Sequence, residues 1–450
     1  MRRAHCSTQA QRRMQLTHVA ALLACSNALQ PLDRRAVAKG FAAITTTALI
    51  PATPATAAVA TALKTVSWSA TDGFDSDFPS QINFIEFDEK AYKAMRDDPR
   101  RTPKFAKAIR SRLAELGPEA VVLDLGTGPF CVLALIAATA GAKKVYAVEA
   151  NPEAYRRAKN FIAQCEDPTS NRRDVNGLVP LKPGAIEVIQ GFSTDLILPE
   201  KVDLCVFEIC GSLASEEGLY ATMKDARERH VKRPDEPGSY IPRRCQTYAA
   251  PVAYALHNLL TPPSFDWSKI VGKDPIRFNC RDEALQVLSP PQLLEDIDFS
   301  QPLPSLPAAV RTSLSFPVTA AAIVNAQKGF EKAFAEEKQM QSLLIDARED
   351  WTGKTKIDAA QTAAQIGSKF SGLAMWPALV CDGSDGTLIR SRGPNGEAQK
   401  SHWQTVLQLM TDVPLAVAAG DAVTFEFEAA PQAQVTKATT YKLAGGVARG

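Results

Sequence analysis

The sequence predicts two folded domains, an α/β domain built on a doubly wound parallel sheet and, after it, a β-barrel-like domain. In the first half, apolar strand-like runs alternate with helix-like segments, and one run ends in a Gly-rich turn. The second half changes to the period-two alternation of half-buried antiparallel strands. With 450 residues, 45% hydrophobic and 22% charged, the chain has the composition of globular domains and not of a disordered or collagen-like protein.

The first 60 residues are expected to be a targeting leader, cleaved or disordered, before these domains. They contain seven basic residues and one acid, and Ala, Thr and Ser fill most of the remainder. The pair Arg34-Arg35 precedes an apolar run that ends in small residues at 55–60, as in lumen-type export signals. The leader resembles the composite targeting sequences of algal plastid proteins. That implies import into the plastid stroma or thylakoid lumen, with the mitochondrion or cytoplasm as alternatives.

Charge and cysteine content exclude several classes of protein. The formal net charge is +2, and the leader contributes +6 (seven bases minus one acid), so the remaining body carries 2 − 6 = −4. A mildly acidic body is not that of a strongly basic nucleic-acid binder, and it suits a basic partner. The nine cysteines form no C-x-x-C pair, so neither a zinc framework nor a disulfide scaffold is indicated. No segment is long and apolar enough to predict a membrane span.

A candidate ligand site begins where the apolar run 121–125 meets Gly126-Thr127-Gly128. Glycines allow a close backbone approach, and the helix-like segment 130–138 that follows offers free N–H groups at its start. The next strand, 144–149, ends in Glu149, placed to accept the ribose hydroxyls of a nucleoside ligand. Two further strands, at 186–189 and 203–207, complete a parallel sheet that binds ligands at the carboxyl ends of its strands.

This turn favours S-adenosylmethionine as the ligand, with a dinucleotide as the alternative. Asp124 immediately precedes the turn, where a carboxylate would repel a pyrophosphate, and the third glycine of G-x-G-x-x-G is missing. A cationic methionine end and a neutral adenosine tolerate both features. The expected cofactor is therefore S-adenosylmethionine, and no metal is expected.

Four segments, in order, resemble those of the protein arginine N-methyltransferase family. They are the helix that closes over the donor, the donor site, the double-glutamate loop and the Thr-His-Trp loop, at 91–102, 124–149, 207–217 and 401–406. The resemblance covers about 80–445. It implies a Rossmann-like, S-adenosylmethionine-binding methyltransferase domain at 80–242 and a β-barrel-like substrate domain at 243–450. It also implies methyl transfer to a guanidino nitrogen of arginine in a protein substrate.

In this family the double-glutamate loop binds the substrate guanidinium, and the resemblance assigns Glu208 and Glu217 to that role. A guanidinium is a planar cation with five N–H donors and a very high pKa, which makes it a poor nucleophile. Two carboxylates can fix its plane and concentrate its charge away from one terminal nitrogen, which then attacks the sulfonium methyl in line. Glu216 is the alternative second residue, because it is adjacent in sequence.

The resemblance gives the remaining site residues their expected roles. His402 is expected to pair with Asp98, holding the barrel loop against the sheet domain or relaying the departing proton. Arg101 matches the arginine that holds the donor's carboxylate, and Thr194 falls where the family contacts the adenine. Met95 lies on the closing helix. The donor site is completed by Asp124, Gly126, Gly128 and Glu149.

The sequence departs from the family at two places. Gly128 is followed by Pro129-Phe130, so Phe130 is expected to crowd the donor unless the turn is rebuilt. The tyrosines that many members carry before the methionine are absent from 83–87. Two other functions therefore stay open. One is a methyltransferase for another small-molecule or protein nucleophile, and the other is a non-catalytic donor-binding scaffold.

The second domain and the partners complete the expectation. Segments 246–249, 313–318, 371–376 and 423–428 read as strands. The stretch 326–369 breaks the pattern with helical spacing and predicts a helical insertion between two barrel strands. The family usually dimerises through an arm after the double-glutamate loop. No clear arm can be read at 218–237, so a homodimer is left open, and the expected partner is an arginine-containing protein substrate, not a nucleic acid.

Overall fold

A computed structural model describes residues 61–70, 89–169, 181–260, 265–337, 340 and 358–450 of the chain. The expected leader at 1–60 and the stretch 83–87, where the family's tyrosines are missing, lie outside the described residues. Within the described ranges, no helix has the length and apolar character needed to cross a bilayer.

Strands and helices alternate in the first part of the chain, whereas strands dominate the second. The strands are β1 (Thr61–Ala62), β2 (Val66–Ser69), β3 (Val121–Leu125), β4 (Lys144–Glu149), β5 (Ile186–Gln190), β6 (Leu204–Phe207), β7 (Tyr240–Ile241), β8 (Arg244–Tyr254), β9 (Ile276–Asn279), β10 (Leu285–Val287), β11 (Gln292–Asp298), β12 (Val310–Pro317), β13 (Lys369–Phe370), β14 (Gly372–Val380), β15 (Leu388–Arg390), β16 (Gln404–Leu409), β17 (Leu415–Ala416), β18 (Ala422–Ala430) and β19 (Thr440–Ala448). The α-helices are α1 (Glu89–Arg96), α2 (Thr102–Leu116), α3 (Val132–Thr139), α4 (Pro152–Glu166), α5 (Leu219–Asp225), α6 (Ala255–Leu259), α7 (Ala320–Glu336) and α8 (Ala359–Ile366). One π-turn, Ala226–His230, continues α5.

A parallel sheet organises the first domain, with strand order β5-β4-β3-β6-β7. Every residue of β3 and β6 is buried, as expected for strands covered by helices on both faces. Chain order runs outward from β3 in one direction and from β6 in the other, so the carboxyl ends of β3 and β6 flank the switch point where such sheets bind ligands. The doubly wound fold predicted from the sequence is confirmed.

Local capping fixes the helix that follows β4. Asn151 precedes α4, and its side chain accepts hydrogen bonds from the N–H groups of Glu153 and Ala154 at 2.8 and 2.9 Å. Pro152 occupies the first helical position, where its missing N–H costs nothing. This abrupt start holds the chain next to the carboxyl end of β4, where Glu149 lies.

Two antiparallel sheets form the second domain, which is the predicted β-barrel-like architecture. The larger has the order β10-β8-β14-β16-β9, with β11 and β15 added at β8 and β14. The smaller has the order β1-β19-β18-β12, with β2 paired to β19. Residues 61–69 therefore belong to the second domain in space although they precede the first in sequence, which the sequence-based domain limits did not anticipate. In the stretch predicted to be a helical insertion, α7 and α8 precede β13 and β14.

One loop of the second domain connects the two hydrophobic cores. Trp403 packs into the core of the parallel-sheet domain, although β16 begins directly after it. Its indole N–H donates to the backbone carbonyl of Cys210 at 2.8 Å. This contact holds the loop at 401–403 against the segment that follows β6, so the candidate site is assembled from both domains.

Candidate active site

An open cavity lies at the switch point of the parallel sheet and contains about 1090 Å³ of empty space. Eight of the residues expected from the sequence line it, namely Met95, Arg101, Asp124, Gly126, Gly128, Glu149, Glu208 and Glu217. They come from α1, the start of α2, the ends of β3, β4 and β6, and the loop before α5. A cleft lined by convergent polar groups is the expected form of a ligand site.

The turn after β3 includes a residue other than glycine in the left-handed conformation. Gly126 has φ +68° and lies against Ile209, whose Cγ2 would be 2.9 Å from an added Cβ, so a side chain does not fit there. Cys131 adopts a left-handed conformation with φ +46° before α3 begins. Phe130 packs edge-on against Phe161, with ring centroids 6.0 Å apart, and still forms part of the cavity wall.

Asp124 is buried beneath this turn with one oxygen unused. Its Oδ2 accepts hydrogen bonds from the Thr127 hydroxyl at 2.6 Å and the Ala134 N–H at 2.9 Å. Its Oδ1 has no hydrogen-bond partner among the described residues. Burial, with a smaller contribution from the charge of Glu149, raises the pKa of Asp124 to about 7 despite these two hydrogen bonds. An unpartnered buried acceptor on a cavity wall indicates a site for a ligand donor group.

Glu149 closes the other side of the turn. Its Oε2 accepts from the Gly128 N–H and its Oε1 from the Asn151 N–H, both at 2.8 Å. Burial raises its pKa, and these backbone hydrogen bonds oppose that shift. Each oxygen retains a lone pair, so the carboxylate can accept two further hydrogen bonds from vicinal hydroxyls.

Arg101 contacts Glu208, which the sequence alone did not predict. Its Nη2 and Nε donate to Glu208 Oε2 at 2.8 and 3.1 Å, and both side chains are buried. Arg101 Nη1 also donates to the Met95 carbonyl at 3.3 Å, which ties α1 to this pair. Burial by itself would raise the pKa of Glu208, but the charge of Arg101 and the neighbouring His402 side chain outweigh it and lower the pKa to about 2. Glu208 is therefore ionised throughout the physiological range.

The structure brings His402 and Asp98 together, as the family resemblance implied. His402 Nδ1 lies 3.0 Å from Asp98 Oδ2, and because a carboxylate only accepts, Nδ1 is the donor. The other ring nitrogen, Nε2, lies 3.7 Å from Glu208 Oε2 and has no hydrogen-bond partner in the described residues. Burial tends to raise the pKa of Asp98, but the hydrogen bond from His402 reverses this and lowers it. The pair joins the barrel loop to the start of α2.

The two adjacent glutamates of the loop point to different neighbours. Glu217 has φ +61° and Gly218 has φ +70°, so the chain turns sharply here. Glu217 lines the cavity and is half-buried, whereas Glu216 is ion-paired with Arg277 of β9. Burial and the charge of Glu208 raise the pKa of Glu217 well above its usual range. Among the described residues, no hydrogen-bond donor contacts the Glu217 carboxylate, so it is the free carboxylate of the loop.

The loop is anchored to the barrel by buried hydroxyl groups. Thr247 donates to Glu295 Oε2 at 2.6 Å, and the Ala214 N–H donates to the Thr247 hydroxyl at 2.8 Å. Ser215 bonds to the other oxygen of Glu295 and lies 3.0 Å from the Tyr441 hydroxyl. The residues just before Glu216 and Glu217 are therefore held by three barrel strands.

Thr194 does not reach the cavity. Its hydroxyl donates to Asp195 at 3.3 Å on the surface, and the wall is formed instead by its neighbours Phe192 and Ser193. Arg229, in the π-turn after α5, donates to the carbonyls of Ser193 and Leu196, both at 2.7 Å, and so fixes this segment.

Sequence reasoning also did not single out Tyr92, which lines the cavity from α1. A sequence signal was available for it, since Tyr92 and Met95 are three residues apart and therefore share one face of a helix.

Known proteins resemble part of the sequence and most of the fold. No family model matches the sequence. Protein arginine N-methyltransferase PRMT10 of Oryza sativa subsp. japonica is 37% identical over 132 residues, which is 29% of this chain and 30% of the relative. Protein arginine N-methyltransferase 6 of Danio rerio is 33% identical over 163 residues, covering 36% and 39%. Each alignment thus spans less than half of the relative's length.

Two solved structures share the fold over most of the chain. The Trypanosoma brucei PRMT1 enzyme–prozyme heterotetrameric complex with AdoHcy aligns with a TM-score of 0.52 at 19% identity, covering 78% of this chain and 91% of that chain. Protein arginine methyltransferase 10 of Arabidopsis thaliana aligns with a TM-score of 0.50 at 16% identity, covering 81% and 99%. The chain is therefore similar to protein arginine N-methyltransferases in sequence over these alignments and in fold over most of its length.

Proposed function

We propose that this protein transfers a methyl group from S-adenosylmethionine to a guanidino nitrogen of arginine in a protein substrate. The observation that carries the proposal is that Glu208 and Glu217 line the same cavity as Asp124 and Glu149. One pair of carboxylates suits a guanidinium, and the other suits the ammonium and ribose ends of the donor. The donor supplies an electrophilic methyl on a sulfonium.

The donor half of the cavity fits S-adenosylmethionine on the chemistry of its own residues. Asp124 offers an unpartnered buried oxygen, which suits a cationic amine. Glu149 offers two oxygens that can accept from vicinal hydroxyls, at the tip of the second strand of the sheet. A pyrophosphate would instead bring negative charge against two buried carboxylates, so the dinucleotide alternative does not suit this cavity.

The acceptor half fits one planar cation. Arg101 uses Glu208 Oε2 alone, which leaves Oε1 with only a 3.4 Å contact to the Cys210 N–H. Glu217 supplies the second carboxylate, and a guanidinium can donate to both in its own plane. An arriving cation favours the ionised form of Glu217, so we expect substrate binding to displace the proton that its raised pKa retains.

The chain's own residues then position the reacting nitrogen and remove one proton. The two carboxylates hold the guanidinium plane, which is a contribution of orientation and electrostatics more than of covalent chemistry. Methylation of a guanidinium must release one proton. Glu217, whose pKa is raised by burial, and His402 Nε2, which is unpartnered beside Glu208, are the two acceptors within this site.

The experiment is incubation of the full chain with methyl-labelled donor and an arginine-rich peptide. A peptide in which every arginine is replaced by lysine serves as the control. Label on the arginine peptide alone supports the proposal. Label on a small amine instead would show the same donor chemistry with another nucleophile, and donor binding by calorimetry without any transfer would show a non-catalytic scaffold.

The composition of residues 1–60 supports import of the protein into the plastid, and we extend the proposal to that compartment. A fusion of residues 1–60 to a fluorescent protein, expressed in an alga, is expected to accumulate in the plastid. The same fusion with Arg34 and Arg35 changed to glutamine separates a lumen signal from stromal import. Accumulation of the fusion in mitochondria or cytoplasm would contradict the address.

A further inference from the structure

A second guanidinium lies beside the proposed substrate site and belongs to the protein itself. Arg277, on β9, donates through Nη2 to Glu216 Oε1 and through Nη1 to Glu216 Oε2 at 3.3 Å, so the two side chains form a bidentate pair. Glu216 is buried and Arg277 is half-buried. The geometry is the one that a substrate arginine would adopt on a carboxylate.

The double-glutamate loop is shaped to let Glu216 reach this arginine. The Glu216 side chain folds back across Gly211, where an added Cβ would lie 2.4 Å from Glu216 Cβ and 2.5 Å from its Oε2. The Leu213 N–H also donates to Glu216 Oε2 at 3.1 Å. A glycine and a backbone donor therefore hold the Glu216 carboxylate on the barrel side of the loop, away from the cavity that Glu217 lines.

A second carboxylate acts on Arg277 in addition to that of Glu216. After Glu216, Glu217 is the carboxylate whose charge acts most strongly on Arg277, and it is the next residue in the same loop. Its backbone is fixed by the pairing of β9 with β16, in which Arg277 lies opposite Val406. A half-buried guanidinium without a carboxylate is unfavourable, so an Arg277 released from Glu216 is expected to turn to Glu217.

We propose that Glu216 is a positioning residue that keeps the guanidinium of Arg277 away from Glu217. The carboxylates of Glu208 and Glu217 thereby stay available to a substrate arginine. The proposal rests on the proposed function of Glu208 and Glu217. Without Glu216, Arg277 becomes an internal competitor of the substrate. Because an intramolecular group acts at a high effective concentration, even a modest preference of Arg277 for Glu217 would reduce the apparent affinity for a peptide.

The test combines a structure with a binding measurement. The variants are E216Q, R277Q and the double variant E216Q/R277Q, with D296N as the matched control because it removes the 2.9 Å partner of Arg244 elsewhere on the barrel. A crystal structure of E216Q with S-adenosylhomocysteine is expected to show Arg277 hydrogen-bonded to Glu217. Binding of a fluorescent arginine peptide to each protein, saturated with the same ligand, is followed by anisotropy.

The expected binding results separate competition from simple damage to the loop. If Arg277 occupies Glu217 in nine molecules of ten, E216Q weakens peptide binding about tenfold. The double variant is expected to recover to within about threefold of the wild-type affinity, because the competitor is gone. D296N is expected to bind as the wild type does. E216D, which keeps the charge but shortens the side chain, is expected to show a smaller loss and replaces E216Q if that variant does not fold.

Two results would overturn the inference. One is a structure of E216Q in which Arg277 does not contact Glu217 or, if E216Q does not fold, an E216D protein that binds the peptide as tightly as the wild type does. The other is a double variant that binds the peptide as weakly as E216Q does. Failure of the proposed function is recognised separately. A wild-type protein that transfers no methyl group to arginine refutes that function. The position of Arg277 in the E216Q crystal still decides the inference about Glu216.

Discussion

Protonation of Asp124 should make donor-site binding depend on pH. Its Oδ2 accepts two hydrogen bonds, so the proton of the neutral acid resides on the unpartnered Oδ1. A protonated Oδ1 offers a cationic amine neither a charge nor a free lone pair in the same place. Burial raises the pKa of this carboxyl to about 7, so the unfavourable form dominates below neutrality. S-adenosylhomocysteine, which carries the same amine as the donor, is therefore expected to bind better as the pH rises.

The size of the effect follows from the fraction of ionised Asp124. With a pKa of about 7, that fraction is about 3% at pH 5.5 and about 76% at pH 7.5. If only the ionised form binds the amine, the dissociation constant falls by roughly 25-fold between these two pH values. The sign is fixed by the direction of the shift, because a raised carboxyl pKa means that affinity is lost as the pH falls through about 7 and not through 4.

Isothermal titration of S-adenosylhomocysteine into the protein at several pH values measures this dependence. At pH 6, repeating the titration in buffers with different ionisation enthalpies is expected to reveal the release of nearly one proton. D124N is expected to bind weakly with a flat profile. E149Q lacks the neighbouring charge that raises the Asp124 pKa, so its midpoint should move to lower pH while its absolute affinity falls. D203N, which alters a carboxylate paired with Lys232 outside the cavity, is the control.

A dissociation constant that stays within twofold from pH 5.5 to 7.5 would refute the reasoning. So would a D124N protein that retains the wild-type pH profile, because the titrating group would then be another residue. A profile that titrates near pH 4 would show that Asp124 is better solvated than its environment in the structure implies.

Three further changes probe the rest of the site. E208Q is expected to reduce methyl transfer by at least about 10²-fold, measured with labelled donor. It should also lower the free energy of unfolding in urea by about 3 kcal/mol, because Arg101 is left buried without a carboxylate. Retained transfer would contradict the role of Glu208 in binding the guanidinium. H402Q changes the side chain that contacts Asp98 and is expected to slow transfer by about 10²-fold, because the loop at 401–403 is then misplaced. Donor affinity, measured by equilibrium dialysis, should stay within twofold. A parallel loss of affinity would argue for a role of His402 in donor binding. R229Q removes the two hydrogen bonds that fix the segment 193–196 beside the cavity and should weaken S-adenosylhomocysteine binding about tenfold by calorimetry. Unchanged affinity would show that this segment keeps its conformation without Arg229.

The parts of the site that the sequence predicted are those that a contiguous segment specifies. Asp124 and the Gly turn follow one buried strand, Glu149 ends the next, and Glu208 ends a third, so the rule that parallel strands present their carboxyl ends at one edge was enough to group them. The fold class followed from the same periodicities. These predictions needed no knowledge of side-chain contacts between distant elements.

The Arg101–Glu208 and Arg277–Glu216 ion pairs could not be predicted in the same way, because each joins residues far apart in sequence. Arg101 and Glu208 are separated by 107 positions, and Arg277 and Glu216 by 61. The left-handed turn at Cys131 escaped sequence reasoning for another reason, since a residue other than glycine adopts that conformation only when surrounding packing enforces it. Thr194 lies outside the cavity because the short 3-10 turn at 193–195 turns its side chain to the surface.

The specificity of the cavity follows from how its charges are paired. Each positively charged or potentially charged side chain in the inner part of the described site already has its own carboxylate; these pairs are Arg101 with Glu208, His402 with Asp98, and Arg277 with Glu216. Glu217 faces the cavity and has no cationic partner in these pairs. Burial makes its charged form unfavourable, as its raised pKa shows. Such a site gains most from one added cation that can also share Glu208. A planar guanidinium meets both requirements at once, whereas an ammonium is a point charge that donates in no fixed plane. Charge pairing, and not the motif alone, is therefore what should make the acceptor an arginine.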